Sequence, residues 1–137
     1  MRIKLSIPQP LRFFSDCVGR ELCNAEGKTA VSVSYICTDS RETEPGDLFI
    51  AIKGAVSDGN AYVEEAIKKG AALIISERTD LKIPYITVSD GISALQNTAR
   101  AYSSLIPHKT VAVTGSVGKT TVKEMLYSIL SQCFRVH

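Results

Sequence analysis

Short apolar runs alternate with stretches of helical periodicity from about residue 31 onward, and this alternation constrains the fold more than any other feature. Residues 31–37 alternate with period two and are rich in β-branched side chains, which is typical of a strand. Residues 48–52, 71–76 and 85–89 are short apolar runs suited to strands covered on both faces. Because strands that alternate with helices form parallel β-α-β units, the pattern predicts an α/β fold with a largely parallel sheet.

Helices are predicted in the intervals between these strands. Asn60 is a favourable N-cap residue for a helix that Gly70 ends. A longer helix begins at Asp90 and stops before Pro107. A short helix is also expected at residues 11–18, whereas the rest of the N-terminal region carries no clear pattern.

The organisation of the chain changes near residues 106–109. Everything before this point can form one compact α/β unit, so we predict an N-terminal domain at residues 1–106. Residues 107–137 hold one predicted strand at 110–114, a glycine-containing loop and one helix. The apolar stripe of that helix consists of Val122, Met125, Leu126, Ile129, Leu130 and Cys133. Since one strand cannot cover this stripe, we expect the helix to pack on the N-terminal domain, to self-associate with another chain, or to be mobile.

Charge and hydropathy exclude two classes of partner. The net charge is only +2 and the longest basic run is the pair Lys68–Lys69, so no dense basic patch for nucleic acid is expected. The sequence contains no apolar run long enough for a transmembrane helix. Pro8 and Pro10 interrupt the N-terminal segment before the apolar core of a signal peptide can form. We therefore expect a cytoplasmic location.

The cysteines do not have the spacing of a metal site. Cys17, Cys23, Cys37 and Cys133 form no C-x-x-C pair, and only two histidines accompany them. Free thiols in a reducing compartment are the expectation.

A phosphate-binding loop is predicted between the strand at 110–114 and the last helix. The loop consists of Gly115, Ser116, Val117, Gly118, Lys119, Thr120 and Thr121. Glycines allow backbone N–H groups to converge on phosphate oxygens, and the helix N-terminus adds partial positive charge. Lys119 is the candidate catalytic cation for the β- and γ-phosphates of ATP, and the Thr120 hydroxyl is the candidate catalytic ligand of Mg²⁺.

This motif is incomplete, and a simpler interpretation exists. Val113 stands where the pattern G-x-x-x-x-G-K-[ST] has its first glycine. The alternative is a glycine-containing turn between strand and helix with an incidental lysine. Phosphoryl transfer also needs acidic Mg²⁺ ligands, and Glu124 is the only carboxylate after Thr121. We therefore expect this chain by itself to carry the phosphate clamp of an ATP site without its catalytic half, and to be inactive.

Several motifs in a fixed order resemble those of a known family. They are T-D-S-R at 38–41, P-G-D-L-F-I-A-I-K-G at 45–54, D-G at 58–59, A-x-x-x-G-A at 66–71 and T-G-S-V-G-K-T-T-V-K-E at 114–124. This succession is similar to that of the Mur ligases, the ATP-dependent amide-bond-forming enzymes of bacterial peptidoglycan synthesis. The loop is most similar to that of members that add D-Ala-D-Ala to UDP-N-acetylmuramoyl-tripeptide. Members that make the tripeptide more typically have a T-G-T-N-G-K-T loop.

The resemblance implies an N-terminal domain that binds the UDP-muramoyl substrate, followed by the start of a central ATP-binding domain. The complete enzyme would form an acyl phosphate on the peptide carboxylate, which the amine of D-Ala-D-Ala then attacks. The later acidic Mg²⁺ ligands and a C-terminal domain of the family have no counterpart here. Asn60 and Tyr62 also depart from the usual D-G-H-x-F, which leaves the details of substrate recognition open.

The resemblance also assigns a UDP-sugar site. Its residues are Thr38, Asp39, Ser40, Arg41, Lys53, Gly54, Asp58 and Gly59. Ser40 offers a hydroxyl to a uracil edge, and Arg41 can pair with a diphosphate. The alternatives are an Asx turn closed by Asp39 with Arg41 in solvent, and a plain helix cap at Asp58.

Three functions follow from this sequence. The first is the N-terminal part of the ligase that adds D-Ala-D-Ala. A variant of it is a fragment of the tripeptide-forming member of the same family. The second is a UDP-sugar-binding module without catalysis. The third, an unrelated phosphate-loop NTPase, would require more sheet than the sequence contains.

Overall fold

The computed structural model describes residues 1–28, 30–55 and 57–136. The chain divides into two compact units, Met1–Ile106 and Pro107–His137. Among the described residues, all the strands lie in the first unit and one helix lies in the second.

The first unit is built on a six-stranded sheet with the order β1-β3-β4-β5-β6-β2. The strands are β1 (Arg2–Pro10), β2 (Leu22–Cys23), β3 (Ser32–Cys37), β4 (Leu48–Ile50), β5 (Leu73–Ser76) and β6 (Tyr85–Thr87). Strands β3, β4, β5 and β6 are parallel neighbours, while β1 and β2 are antiparallel at the two edges. The predicted α/β fold with a largely parallel sheet is confirmed.

Helices cover both faces of this sheet. The helices of the unit are α1 (Leu11–Val18), α2 (Val63–Lys68) and α3 (Gly91–Leu105). One buried cluster joins α1 and α3 to one face, with Phe14, Leu48 and Ile75 among its members. The other cluster joins α2 to the opposite face through residues such as Phe49 and Val63. The continuous apolar runs of the central strands are explained by this burial on both sides.

The N-terminal strand β1 was not predicted, and its position explains why. It pairs only with β3, and its register shifts between Lys4 and Gln9. Pro8 falls in the irregular part, where a missing N–H does not break the ladder. The outward Ile7 N–H donates to the Tyr102 hydroxyl at 2.8 Å instead of to a strand.

The capping residue of the segment that leads into α2 lies two residues before the predicted position. Asp58, and not Asn60, is the N-cap of the 3-10 turn Gly59–Tyr62, which leads directly into α2. Both residue types are good caps, and Asp58 is the one with the extended backbone of an N-cap (φ −100°, ψ 113°). Gly70 ends the helix as predicted, with a φ of 89°.

The second unit consists of a loop and the helix α4 (Lys119–Leu130). The helix was predicted, but the strand at 110–114 was wrong, since these residues form no strand. A strand requires a hydrogen-bonded neighbour, and no described residue supplies one. No described residue of this unit is buried, and Met125 and Ile129 of the apolar stripe are 60% and 63% exposed.

Three further features of the described residues concern membrane spans, metal sites and disulfides. None of their helices has both the length and the apolar character needed to span a membrane. They also contain no group of three or more His, Cys, Asp or Glu side chains that could hold a metal ion. The four cysteines are free thiols.

Candidate functional site

The predicted substrate residues follow two neighbouring parallel strands. Thr38–Arg41 comes directly after β3, and the loop that begins at Lys53 comes shortly after β4. The two strands pair in parallel, with Cys37 opposite Phe49. Carboxyl ends of parallel strands are where open α/β sheets bind ligands. The fold therefore brings both predicted segments to the same carboxyl edge of the sheet.

Asp39 and Arg41 form a closed turn at this edge. One carboxylate oxygen of Asp39 accepts from the Arg41 backbone N–H at 3.0 Å and from Nε at 2.9 Å, and the other accepts from Nη2 at 2.7 Å. These hydrogen bonds hold the pKa of Asp39 far below its ordinary value and raise the pKa of Arg41. The Arg41 side chain is 83% exposed. The turn is the Asx turn named above, and it presents an oriented, permanently charged guanidinium to solvent.

Unlike the exposed side chain of Arg41, the Ser40 side chain is held inside the protein. It is buried, and its hydroxyl donates to a carboxylate oxygen of Glu65 at 2.8 Å. Lys69 donates to the backbone carbonyls of Ser40 and Arg41 at 2.8 and 3.0 Å. The pKa of Glu65 is lowered, first by Ser40 and then by Lys69. Sequence reasoning did not find Glu65 and Lys69, although their i,i+4 spacing on α2 was a visible signal.

Thr38 is tied to the beginning of the chain. Its backbone N–H and its hydroxyl both donate to the Met1 carbonyl, at 2.9 and 3.4 Å. Met1, directly before β1, thus holds the first residue of the segment, while Glu65 and Lys69 hold its middle.

The loop after β4 is a compact structure around Asp58. Lys53 and Asp58 form an antiparallel bridge, and the Gly54 N–H donates to the Ser57 carbonyl at 2.9 Å. Asp58 accepts from the Asn60 backbone at 2.9 Å and from its side-chain amide at 2.8 Å, which lowers the pKa of Asp58. Val56 lies outside the described residues.

Gly59 is required by a close approach of backbone to backbone. A Cβ at this position would lie 2.6 Å from the Ile52 nitrogen and 2.8 Å from its oxygen. The Asn60 side chain then links this loop to the next strand, because its oxygen accepts from the Glu77 N–H at 3.0 Å.

The two predicted segments share the support of α2 and are not bonded directly to each other. In the described parts of 38–41 and 53–59, no side-chain hydrogen bond joins one segment to the other. Tyr62, which directly precedes α2, is 46% exposed.

The phosphate loop in the second unit has the backbone that an anion site needs. Gly115 and Gly118 have φ angles of 145° and 80°, which disfavour residues with a Cβ. Gly118 is the N-cap of α4, so this helix start has no side-chain cap and no acidic residue in its first turn. A helix start without these groups has N–H donors and partial positive charge available for phosphate. The donor set therefore fits a nucleotide phosphate.

The side chains of the loop add a cation and a hydroxyl. Lys119 donates to the Gly115 carbonyl and so closes the loop on itself. Lys119 and Thr120 line a shallow depression of about 270 Å³ together with Val111, Val113 and Lys123. Lys123 was not among the predicted residues, and it pairs with the exposed Glu124 at 3.0 Å.

Comparison with known proteins identifies the family. The model of the Mur ligase family, catalytic domain, matches residues 32–113, which is more than half of the chain. The chain belongs to the Mur ligase family.

Curated relatives of this Mur ligase chain carry two different activities. The UDP-N-acetylmuramoyl-tripeptide–D-alanyl-D-alanine ligase of Bacillus subtilis is 34% identical, over 96% of this chain and 29% of the relative. The UDP-N-acetylmuramoyl-L-alanyl-D-glutamate–2,6-diaminopimelate ligase of Caldanaerobacter subterraneus is 40% identical, over 78% and 23%. The chain spans less than a third of the length of these relatives.

Solved structures agree with this assignment. MurF from Acinetobacter baumannii matches 97% of this Mur ligase chain and 29% of its own, with a TM-score of 0.80 and 31% identity. MurF from Thermotoga maritima in complex with ADP matches 72% and 23%, with a TM-score of 0.66 and 36% identity.

Proposed function

We propose that the chain supplies the substrate-binding domain and the phosphate loop of an ATP-dependent ligase that joins D-Ala-D-Ala to UDP-N-acetylmuramoyl-tripeptide. The observation that carries this proposal is the phosphate loop at the uncapped start of α4, which follows a Mur ligase domain in the same chain. The activity of the Bacillus subtilis relative, which matches 96% of this chain, supports the choice of reaction.

The second unit is proposed to hold the nucleotide. The backbone N–H groups of Gly115, Ser116, Val117, Gly118, Lys119, Thr120 and Thr121 would surround the phosphates. Lys119 would exchange its hydrogen bond to the Gly115 carbonyl for phosphate oxygens, and the Thr120 hydroxyl would be a ligand of Mg²⁺. ATP, when bound, supplies the phosphoryl group that activates the peptide carboxylate.

The first unit is proposed to hold the UDP-muramoyl substrate at the carboxyl edge of β3 and β4. Arg41 is exposed and oriented by Asp39, so its planar guanidinium is suited to the diphosphate. Gly54 and Gly59 shape the compact loop after β4, in which Lys53 and Asp58 are bridged and available to the substrate. Thr38 and Ser40 complete the segment.

The tripeptide-forming ligase is the second candidate. It is favoured by the 40% identity to the diaminopimelate ligase of Caldanaerobacter subterraneus. The two candidates differ in the UDP-muramoyl peptide that the first unit would bind.

Thermal unfolding of the chain in the presence of each ligand tests these proposals. A ligand at about 100 times its dissociation constant stabilises the folded state by about 2.7 kcal/mol. We expect the melting temperature to rise with UDP-N-acetylmuramoyl-tripeptide, to rise less with UDP-N-acetylmuramoyl-dipeptide, and to rise with ATP and Mg²⁺. A larger effect of the dipeptide would favour the tripeptide-forming enzyme.

Two matched variants assign each ligand to its unit. Lys119→Ala should abolish the rise in melting temperature caused by ATP and keep the rise caused by the UDP compound. Arg41→Ala should abolish the rise caused by the UDP compound and keep the rise caused by ATP. An effect of the UDP compound without one of ATP would reduce the chain to a sugar-nucleotide-binding module. No effect of either ligand would refute the proposal.

A further inference from the structure

We infer that Glu65 and Lys69 of α2 are positioning residues that set the place of Arg41 at the proposed substrate site. Ser40 acts through them and does not itself touch the substrate. This inference rests on the proposed function of the segment Thr38–Arg41. It corrects the role that Ser40 was given as a partner of the uracil edge.

Three residues are linked in a ring by hydrogen bonds and an ion pair, which we call the α2 clasp: Ser40, Glu65 and Lys69. The Ser40 hydroxyl donates to Oε2 of Glu65 at 2.8 Å, and Oε1 of Glu65 pairs with Nζ of Lys69 at 3.1 Å. Nζ of Lys69 in turn donates hydrogen bonds to the backbone carbonyls of Ser40 and Arg41. Ser40 itself is only 5% exposed. Its hydroxyl is thus buried and already used within the protein, which leaves little of it for a ligand.

The connection between β3 and β4 is also held near β4, by residues that follow α2. The Gly46 N–H donates to the Gly70 carbonyl at 2.9 Å, and the Ala72 N–H donates to the Asp47 carbonyl at 2.8 Å. These bonds hold the end of the connection at the residues that follow α2. At its beginning, where Arg41 lies, the connection is held by the clasp and by the hydrogen bonds of Thr38 to Met1.

The position of Arg41 depends on the clasp through its backbone. Its side chain touches Asp39 and is otherwise in solvent, so side-chain packing does not place it. Its carbonyl is bound by Lys69 at 3.0 Å. A charge-assisted hydrogen bond of this kind is among the stronger contacts in proteins, and small displacements of a cation weaken bidentate pairing with an anion.

Lys69→Met, compared with Lys68→Met, is the first test. Lys68 lies one residue earlier on α2 and is exposed, so both variants remove one positive charge from the same helix. Calorimetry with UDP-N-acetylmuramoyl-tripeptide should give a dissociation constant about tenfold higher for Lys69→Met, since hydrogen bonds to charged groups contribute on that order. Lys68→Met should stay within about twofold. Lys69→Arg keeps donors and charge and should recover part of the affinity.

A double-mutant cycle separates the two roles of Ser40. If Ser40 acts through Glu65, then Ser40→Ala, Glu65→Ala and the double variant weaken binding by similar factors. If Ser40 touches the substrate, the factors multiply, and the inference is overturned. Equal effects of Lys68→Met and Lys69→Met would also overturn it.

Hydrogen exchange tests the clasp without any ligand. The N–H groups of Glu42 and Thr43 donate to the carbonyls of Asp39 and Ser40, so they report on the turn. We expect both to exchange about tenfold faster in Lys69→Met, while the Ala51 N–H, bonded to Ile75 in the sheet, is unchanged. Unchanged exchange at Glu42 and Thr43 would refute the clasp. If the parent chain binds no UDP compound but these amides respond, the clasp stands and the proposed function fails.

Discussion

The two units of this chain differ in what holds their secondary structure. In Met1–Ile106 the strands depend on distant neighbours, and apolar side chains are buried on both faces of the sheet. In Pro107–His137 the helix α4 forms without a single buried residue in its range. Helix hydrogen bonds are local, whereas strand hydrogen bonds are not. This difference explains why residues 119–130 form the predicted helix while residues 110–114 form no strand.

Gly91→Ala should give the largest loss of stability, because it affects the contact between α3 and the sheet. A Cβ at Gly91 would lie 1.9 Å from the Ala51 carbonyl oxygen, so the backbone must move. We expect the free energy of unfolding to fall by about 4 kcal/mol or more, measured by urea denaturation. Gly19→Ala is the control, since Gly19 has a φ of 62° but open space around it. That variant should cost only about 1–2 kcal/mol. Similar losses in both variants would contradict the close packing of Gly91 against the Ala51 carbonyl.

Ile74→Ala and Ile129→Ala compare the two units with the same chemical change. Ile74 is fully buried between the sheet and α2, whereas Ile129 on α4 is 63% exposed. We expect Ile74→Ala to lower the free energy of unfolding by about 3 kcal/mol and Ile129→Ala to change it by less than about 0.5 kcal/mol. A loss above 1 kcal/mol at Ile129 would contradict the description of α4 as a helix without a core.

Thr98→Val should give the smallest effect, and in the opposite direction. Thr98 is fully buried in α3, and its hydroxyl has no hydrogen-bond partner. Valine has the same shape without the polar atom, so we expect stability to rise by about 1 kcal/mol. Thr110→Val, at an exposed position of the second unit, should change nothing measurable. A destabilised Thr98→Val variant would indicate that the hydroxyl is paired after all.

The sequence predicts those elements whose signal is local or continuous. Strands β4 and β5 are recognisable because burial on both faces demands unbroken apolar runs, and α3 is recognisable from its Asp90 cap. Strand β1 was not predicted because an edge strand tolerates prolines and exposed polar residues, which hide its pattern. The N-cap before α2 was assigned to Asn60 instead of Asp58 because both residue types are good caps, and residue type does not show which of them has the extended backbone of an N-cap.

The same division holds for the candidate site. The Asx turn of Asp39 and the glycine loop before α4 are local, so their residue types suffice to predict them. The pairing of Ser40 with Glu65 joins residues that are 25 positions apart, through the packing of α2. No local pattern contains that contact. The sequence therefore predicts the local turns of the candidate site, but not the distant side chains that support them.

Amide NMR spectra of the labelled chain test most directly whether the two units bind two different ligands. UDP-N-acetylmuramoyl-tripeptide should shift the amide signals of residues 38–43 and 53–60, and ATP with Mg²⁺ should shift those of residues 115–121. Each ligand should leave the signals of the other segment in place. Shifts caused by the UDP compound outside the edge of β3 and β4, or by ATP outside the loop before α4, would contradict the account.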